Sequence, residues 1–210
     1  MISIKNISKS FGKQNVLRDV SIDIAKGEQV AIVGPSGTGK SVMLKLITGL
    51  LPLDAGDIVV EGKSVRNPED RNYIFSQMGI LFQSAALLDS LSLYENLLFP
   101  LEWHNRGTAK EQKAKALELL ELVDMTSFAS YRPQEVPIGH RKRIGIARAL
   151  ALEPSLILFD EPNTGLDPNS GQEVYDVIGR VAAAKNITSL VISHEIPEVF
   201  QICQRVVMLY

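Results

Sequence analysis

The sequence has little of three things: cysteine, long apolar runs and net charge. Its single cysteine, Cys203, excludes an internal disulfide and suits a reducing compartment. No apolar run approaches the roughly 18 residues that a membrane-spanning helix needs, and the first ten residues lack the apolar core of a signal peptide. The formal net charge of −2 does not draw the chain to nucleic acid or to an anionic membrane. We therefore expect a cytoplasmic protein whose contact with a membrane, if any, is made through a partner.

The remaining composition is that of a folded chain. Apolar residues make up 45% and charged residues 22% of the 210 residues, so disorder is not expected. A chain of this length most simply forms one domain, or one domain with an inserted subdomain. No internal repeat and no long linker divides it, which predicts a single domain over residues 1–210.

Short strand-like runs alternate with helical runs along the chain. Residues 20–24 alternate apolar and polar side chains, as in a half-buried strand. Continuous apolar runs, typical of strands covered on both faces, occupy residues 29–34, 155–160, 190–193 and 205–209. Such strands with helices between them predict an α/β fold with a mostly parallel sheet.

The segment from about residue 84 to residue 152 breaks this alternation. Within it, Ala116, Leu119, Leu120 and Val123 share one face of a predicted helix, with Lys and Glu side chains on the other face. This pattern favours a helical subdomain inserted into the α/β fold.

The first chemical motif is "GPSGTGKS", residues 34–41, which directly follows the apolar strand "QVAIV". Its glycines allow the backbone N–H groups to curl around a phosphate, and the following helix presents its positive end. Lys40 can reach the β- and γ-phosphates, and the Ser41 hydroxyl can hold Mg²⁺. The residues predicted to bind ATP are Gly34, Pro35, Ser36, Gly37, Thr38, Gly39, Lys40, Ser41 and Val42.

The second motif is a pair of carboxylates at the end of the apolar run "LILF". Asp160 and Glu161 are adjacent, which is costly unless a cation or a proton transfer uses them. Because neighbours on a strand point in opposite directions, we expect Asp160 to face the metal at Ser41 and Glu161 to lie beyond it. There, Glu161 could orient and deprotonate an attacking water.

In these motifs the chain resembles the nucleotide-binding subunits of ABC transporters, and the likeness runs over residues 2–209. The resemblance implies a P-loop NTPase fold with an N-terminal antiparallel β subdomain and the inserted helical subdomain. It implies that Phe11 stacks on adenine, that Gln83 reaches the metal and the attacking water, and that His194 contacts the γ-phosphate. It also implies that Asp167 lies in the loop that crosses to a partner subunit.

The family shares its ATP sites between two subunits, each phosphate loop facing a signature turn, typically L-S-G-G-Q, of the other. Arg143 and the run 147–150 align this turn with five residues: Val136, Pro137, Ile138, Gly139 and His140. Pro137 replaces the serine whose hydroxyl and N–H would bind phosphate, and it offers neither group. Ile138 replaces a glycine with a branched side chain that crowds the backbone.

This weakened turn leaves three interpretations open. The chain could form a homodimer that hydrolyses ATP slowly, or pair with an unlike subunit that has an intact signature. It could also act chiefly as an ATP-binding regulatory partner. The basic cluster at residues 140–143 with Arg148 offers a nucleic-acid interpretation, but its interleaved apolar residues look like a core face, so no nucleic-acid partner is expected.

The resemblance also implies an integral membrane permease as a second partner, which would hold the chain peripherally on the inner face of the cell membrane. Residues 80–101 look like the corresponding region of Mla-type lipid transporters; amino-acid and lipoprotein systems are the alternatives. Family members usually continue beyond the last strand, so we expect a short member or a trimmed form.

Overall fold

The computed structural model describes residues 1–185, 187–194 and 196–210. The strands are β1 (Ile2–Phe11), β2 (Gln14–Ile24), β3 (Gln29–Val33), β4 (Ala55–Val60), β5 (Lys63–Ser64), β6 (Met78–Leu81), β7 (Leu156–Asp160), β8 (Thr188–Ser193) and β9 (Arg205–Met208). The α-helices are α1 (Lys40–Ile47), α2 (Arg71–Ser76), α3 (Leu93–Trp103), α4 (Ala109–Leu122), α5 (Ile138–Leu150), α6 (Pro168–Lys185) and α7 (Ile196–Ile202).

The first sheet is antiparallel, in the order β2-β1-β4-β5. Ile2 pairs with Ile24 on one side and with Val60 on the other, and all three side chains are buried. Buried residues recur at every second position at the start of β1 and the end of β2, which gives the sheet one apolar face, as the alternation in β2 predicted. The hairpin between β1 and β2 brings the exposed side chain of Phe11 to its turn.

The second sheet is parallel, in the order β6-β7-β8-β3-β9. Its central strands are buried almost throughout, which confirms the interpretation of the continuous apolar runs. Since the strands are parallel, the segments that follow β3, β6, β7 and β8 emerge at the same edge of the sheet. That edge is where open α/β sheets bind ligands.

Helices α3, α4 and α5 form the inserted part between β6 and β7 and pack against one another. The predicted apolar face of α4 is confirmed, because Ala116, Leu119, Leu120 and Val123 are all buried. The insertion begins with a loop, and its first α-helix starts only at Leu93, where Ser92 forms a capping box.

Helix α5 attaches the insertion to the parallel sheet through close approaches at two glycines. A Cβ at Gly79 on β6 would lie 2.2 Å from the Ala149 carbonyl oxygen. One at Gly145 on α5 would lie 2.5 Å from Leu81 Cδ1. The two elements therefore pack in close contact at both glycines, which places α5 directly beside the loop that follows β6.

Candidate active site

The phosphate loop connects β3 to α1 and depends on glycine at specific positions. Gly37 and Gly39 have φ angles of 85° and 96°, in the left-handed region that side chains with a Cβ disfavour. A Cβ at Gly39 would also lie 2.8 Å from Val16 Cγ1 and 2.9 Å from Leu17 Cδ2. The loop is thus wedged against β2, beside the hairpin that carries Phe11.

Lys40 is the first residue of α1 and its side chain turns back into the loop. It is 5% exposed, and its Nζ donates to the carbonyl oxygens of Gly34 at 2.7 Å and Pro35 at 3.0 Å. The Thr38 hydroxyl donates to the same Pro35 oxygen at 3.0 Å. An ammonium group is therefore held within a ring of backbone at a helix N-terminus, which suits a polyphosphate.

The other predicted ligands on this segment differ in exposure. Ser36 and Ser41 are exposed and Val42 is half-buried. Ser41 lies in the first turn of α1, where its hydroxyl is accessible to a ligand. Phe11 is 47% exposed, with Lys9 Nζ 5.5 Å from its ring centroid, so one face of the ring is available for stacking.

Asp160 is the last residue of β7, and one of its carboxylate oxygens is buried. Its Oδ1 is buried and has no hydrogen-bond partner among the described residues. Burial, and then the neighbouring Glu161, raise the pKa of Asp160, while Lys142, Lys45 and Lys40 act in the opposite direction. A buried carboxylate oxygen without a donor fits a divalent cation, so the donor set is compatible with Mg²⁺.

Glu161 lies outside β7, so the prediction that strand alternation sets the direction of its side chain was wrong. Its φ is +46°, its N–H donates to the Ile192 carbonyl oxygen at 2.9 Å, and β7 ends one residue earlier. The orientation of this carboxylate is set by a left-handed turn and not by strand alternation.

The Glu161 carboxylate gathers side chains from three other positions. Its Oε2 accepts a hydrogen bond from the Thr164 hydroxyl at 2.9 Å and from Gln83 Nε2 at 3.4 Å. Its Oε1 lies 3.4 Å from His194 Nδ1. The three predicted catalytic residues, which are far apart in sequence, therefore meet at the carboxyl edge of the parallel sheet.

Sequence reasoning missed Thr164. It lies three residues after Glu161, and its backbone N–H donates to the Glu161 carbonyl oxygen at 3.2 Å, so a tight turn brings its hydroxyl back to the carboxylate. A hydroxyl residue three positions after a functional carboxylate was the available signal.

The signature turn is differently built. Pro137 is the N-cap of α5, with φ −57° and ψ 159°, and makes no side-chain capping bond. Ile138 is the first residue of α5 and is 36% exposed. Its Cδ1 lies 3.5 Å from where a Cβ on Gly165 would be. Gly139 is buried, and the His140 ring lies 4.6 Å from that of Phe128.

His140 packs against Phe128, and Asp167 is hydrogen-bonded within the chain. Burial, followed by the charge of Arg143, lowers the pKa of His140. The Asp167 carboxylate accepts hydrogen bonds from the N–H groups of Asn169 and Ser170 at 3.1 Å and from the Ser170 hydroxyl at 2.6 Å. These bonds cap α6, and the bonds from Ser170 hold the pKa of Asp167 below its usual value.

The basic cluster of α5 is not a surface stripe. Lys142 is fully buried, and His140, Arg141, Arg143 and Arg148 are partly buried. A phosphate backbone would need exposed cations along one face, so the burial of this cluster argues against the nucleic-acid interpretation.

A phosphate loop after β3 and a carboxylate pair at the end of β7, at one edge of a parallel sheet, define a P-loop nucleotide-binding domain. The model of the family described as "ABC transporter" matches residues 17–164. The chain belongs to this family.

Two curated relatives and one solved structure give the range of the likeness. The chain is 37% identical over 211 residues to the methionine import ATP-binding protein MetN of Clostridioides difficile, covering all of this chain but 65% of that protein. It is 37% identical over 204 residues to MlaF of Haemophilus influenzae, described as an intermembrane phospholipid transport system ATP-binding protein, covering 96% of this chain and 77% of MlaF.

The solved structure is of another protein, the ATP-binding cassette MJ0796, as a dimer in a post-hydrolysis state bound to ADP and Pi. It matches with a TM-score of 0.88 at 30% identity, over 100% of this chain and 94% of that one. The fold predicted from the sequence is therefore confirmed, including the antiparallel sheet and the helical insertion. The chain spans about two thirds of the length of the MetN protein it matches.

Proposed function

We propose that this chain is the ATP-binding and ATP-hydrolysing subunit of an ABC transporter, and that two such subunits close on ATP to drive a membrane permease. The observation that carries the proposal is the convergence of Gln83, Thr164 and His194 on the carboxylate of Glu161. This group is placed at the sheet edge that also carries the phosphate loop, as hydrolysis of a bound triphosphate requires.

Each side chain receives a role from its position. Lys40 and the loop amides bind the β- and γ-phosphates, and Phe11 stacks on adenine. Ser41, Gln83 and Asp160 are the proposed Mg²⁺ ligands, and the ion would neutralise phosphate charge when bound.

The catalytic group lies beyond these ligands. Glu161 orients and deprotonates the attacking water, and His194 contacts the γ-phosphate. Thr164 donates a hydrogen bond that fixes one Glu161 oxygen, which leaves the other oxygen, near His194, to face the water.

The second half of each site comes from the partner subunit in this proposal. Pro137, Ile138, Gly139 and His140 would face the partner's γ-phosphate across the dimer, with Asp167 in the adjoining loop. A hydrogen bond to a charged group contributes about 1.5–3 kcal/mol, so the missing serine should weaken closure or turnover roughly 10- to 150-fold. ATP binding by the phosphate loop would be retained.

This turn also favours a second candidate function. Pro137 supplies no capping bond, and Ile138 places a branched side chain at the start of α5. A chain with such a turn could serve as an ATP-binding partner whose hydrolytic site is completed by an unlike subunit with an intact signature. In that heterodimer the Glu161 of this chain would still perform hydrolysis.

We further propose that the transported substrate is a phospholipid or another lipid. MlaF, whose name refers to intermembrane phospholipid transport, is among the relatives, and residues 80–101 resemble the Mla-type region that adjoins a permease. MetN, named for methionine import, stands for the competing amino-acid class. Within the described ranges no helix is long and apolar enough to cross a membrane, and the proposed permease would hold the chain at the inner face.

The proposal is tested by Mg²⁺-dependent phosphate release from purified chain over a range of protein concentrations. We expect specific turnover to rise with protein concentration, because two chains complete each site. Turnover that is constant per chain would contradict a shared site. Tight ATP binding without turnover at any concentration would favour the second candidate.

The substrate class needs the permease. The ATP turnover of the assembled transporter would be measured in phospholipid vesicles and with free methionine or glutamine. Stimulation by amino acid alone would contradict the lipid proposal.

A further inference from the structure

Lys142 is a buried cation inside the candidate active site, although it belongs to the helix that begins with the signature turn. Its side chain is 0% exposed. Its Nζ donates to the Gln83 carbonyl oxygen at 2.5 Å and to the Glu161 carbonyl oxygen at 3.2 Å. One ammonium group therefore joins three segments: α5, the loop after β6 and the turn after β7.

A buried ammonium is costly unless its hydrogen bonds and nearby charges compensate. Here burial lowers the pKa of Lys142 to about 8, while the carboxylates of Asp160 and Glu161 act to raise it. A lysine kept in such a place has a role that an apolar side chain of similar length would not fill.

The contacts of Lys142 are with backbone oxygens. Because a backbone carbonyl group has no rotamers, hydrogen bonds to it fix the backbone at Gln83 and Glu161. The side chains of both residues therefore extend from a fixed backbone. Those side chains meet each other, with Gln83 Nε2 3.4 Å from Glu161 Oε2.

A second cation of α5 holds the same loop further along. Arg148 donates to the carbonyl oxygens of Ala85 at 2.9 Å and Ala86 at 2.8 Å, and both alanines have positive φ angles, 62° and 48°. Arg148 thus supports a strained loop, but among the described residues its side-chain bonds are to that loop alone. Lys142 differs because it also bonds to the Glu161 segment.

We propose that Lys142 is a positioning residue that holds Gln83 and Glu161 in register with each other, and so links the signature helix to the hydrolytic carboxylate of the same chain. The inference rests on the proposed ATPase function. It predicts that the loss of Lys142 misaligns Gln83, a proposed Mg²⁺ ligand, and Glu161, the proposed base for water, without disturbing the phosphate loop.

The test compares Lys142→Met, which removes charge and donors at similar length, with Lys142→Arg, which retains both. Arg148→Met is the matched control on the same helix and loop. We expect Lys142→Met to lower kcat about 10- to 100-fold, the usual effect of losing a group that orients a ligand, while KM changes little. Lys142→Arg should recover part of this loss, and Arg148→Met should lower Tm with a smaller effect on kcat.

A second measurement does not depend on turnover. The Kd for ATP is determined in EDTA and in Mg²⁺ for each variant. In Lys142→Met the Kd in EDTA should equal that of the wild type, because Lys40 and the loop are intact. The gain in affinity on adding Mg²⁺ should shrink, because Gln83 is displaced.

The outcomes separate the two proposals. Wild-type kcat and an unchanged Mg²⁺ gain in Lys142→Met would overturn the positioning role. A fall in Tm with weaker ATP binding in EDTA would also overturn it, since Lys142 would then be a packing residue. If the wild type itself shows no turnover, the ATPase proposal fails, while the Mg²⁺ gain still decides the role of Lys142.

Discussion

The phosphate-loop side of the molecule and the signature turn differ in how firmly their groups are held. On the first side, Lys40 donates to two carbonyl oxygens and Glu161 is in contact with three side chains. At the turn, Pro137 caps α5 without any side-chain bond, and Ile138 stands where the resemblance implies a glycine. In the proposed function, the chain thus combines a hydrolytic half-site held by several side-chain bonds with a weak contribution to its partner's site.

The proposed function therefore assigns two roles to different regions of the chain. In it, binding and hydrolysis use groups at the carboxyl edge of the parallel sheet, whereas dimer closure uses the turn at Pro137 and Ile138, which are both exposed. Substitutions on either side should therefore separate nucleotide binding, turnover and dimer closure.

The largest effect is expected from Glu161→Gln. The amide keeps the size of the side chain but cannot accept a proton, so turnover should fall about 10²- to 10⁴-fold, the range for loss of a general base. The Kd for ATP should stay near the wild-type value. Phosphate release and equilibrium ATP binding measure the two quantities. Glu121→Gln, on the exposed face of α4, is the control, and an equal loss there would point to damage of the fold.

The next effect is a gain, expected from Pro137→Ser with Ile138→Gly. The serine hydroxyl restores a hydrogen bond to phosphate, and the glycine removes the branched side chain of Ile138. Turnover should therefore rise roughly 10- to 150-fold. Steady-state turnover at saturating ATP is the measurement.

Stability should change little in that double variant. Serine at the N-cap stabilises a helix by about 1 kcal/mol, and glycine at the next position costs a similar amount. Pro137→Ala with Ile138→Ala removes the same two side chains without adding the hydroxyl. If this control gains as much, crowding by Ile138 or the missing N–H of residue 137, and not the missing hydroxyl, limits turnover.

A smaller loss is expected from Thr164→Val, which keeps the shape of the side chain and removes its bond to Glu161 Oε2. Because Gln83 and water can still bond to that carboxylate, kcat should fall only about 2- to 12-fold, as for an ordinary hydrogen bond. The change should appear in kcat and not in the Kd for ATP. A larger effect on ATP binding than on kcat would contradict the orienting role.

The smallest effect is expected at the N-terminus of α6. Asp167→Ala removes the bonds to Asn169 and Ser170 and should lower Tm slightly near pH 7. Since the folded-state pKa of Asp167 is lowered, its contribution is present above its ordinary value, near 4, and is lost as pH falls through the folded-state pKa. Thermal unfolding of both proteins from pH 7 to pH 3 should therefore show their Tm values converge.

Much of the fold followed from local pattern. Continuous apolar runs predicted the buried strands, period 3.6 predicted the face of α4, and glycine spacing predicted the phosphate loop because its conformation depends on residues close in sequence. The carboxylate pair drew attention for the same reason.

What the sequence could not supply was three-dimensional. The turn that takes Glu161 out of β7 is fixed by a bond to Ile192 on another strand. Lys142 belongs to the basic cluster at residues 140–143, and the sequence did not predict its burial, which follows from the close packing of α5 on β6. Both depend on contacts between segments that are distant in sequence.

The comparison of the phosphate-loop side with the signature turn is tested most directly by mixing two chains. One is wild type; the other carries Pro137→Ser and Ile138→Gly with Glu161→Gln, so that it offers a restored turn but no base. In the mixed dimer the wild-type Glu161 faces the restored turn. Our account predicts that the mixture hydrolyses ATP faster than either chain alone, whereas turnover equal to the average of the two would contradict it.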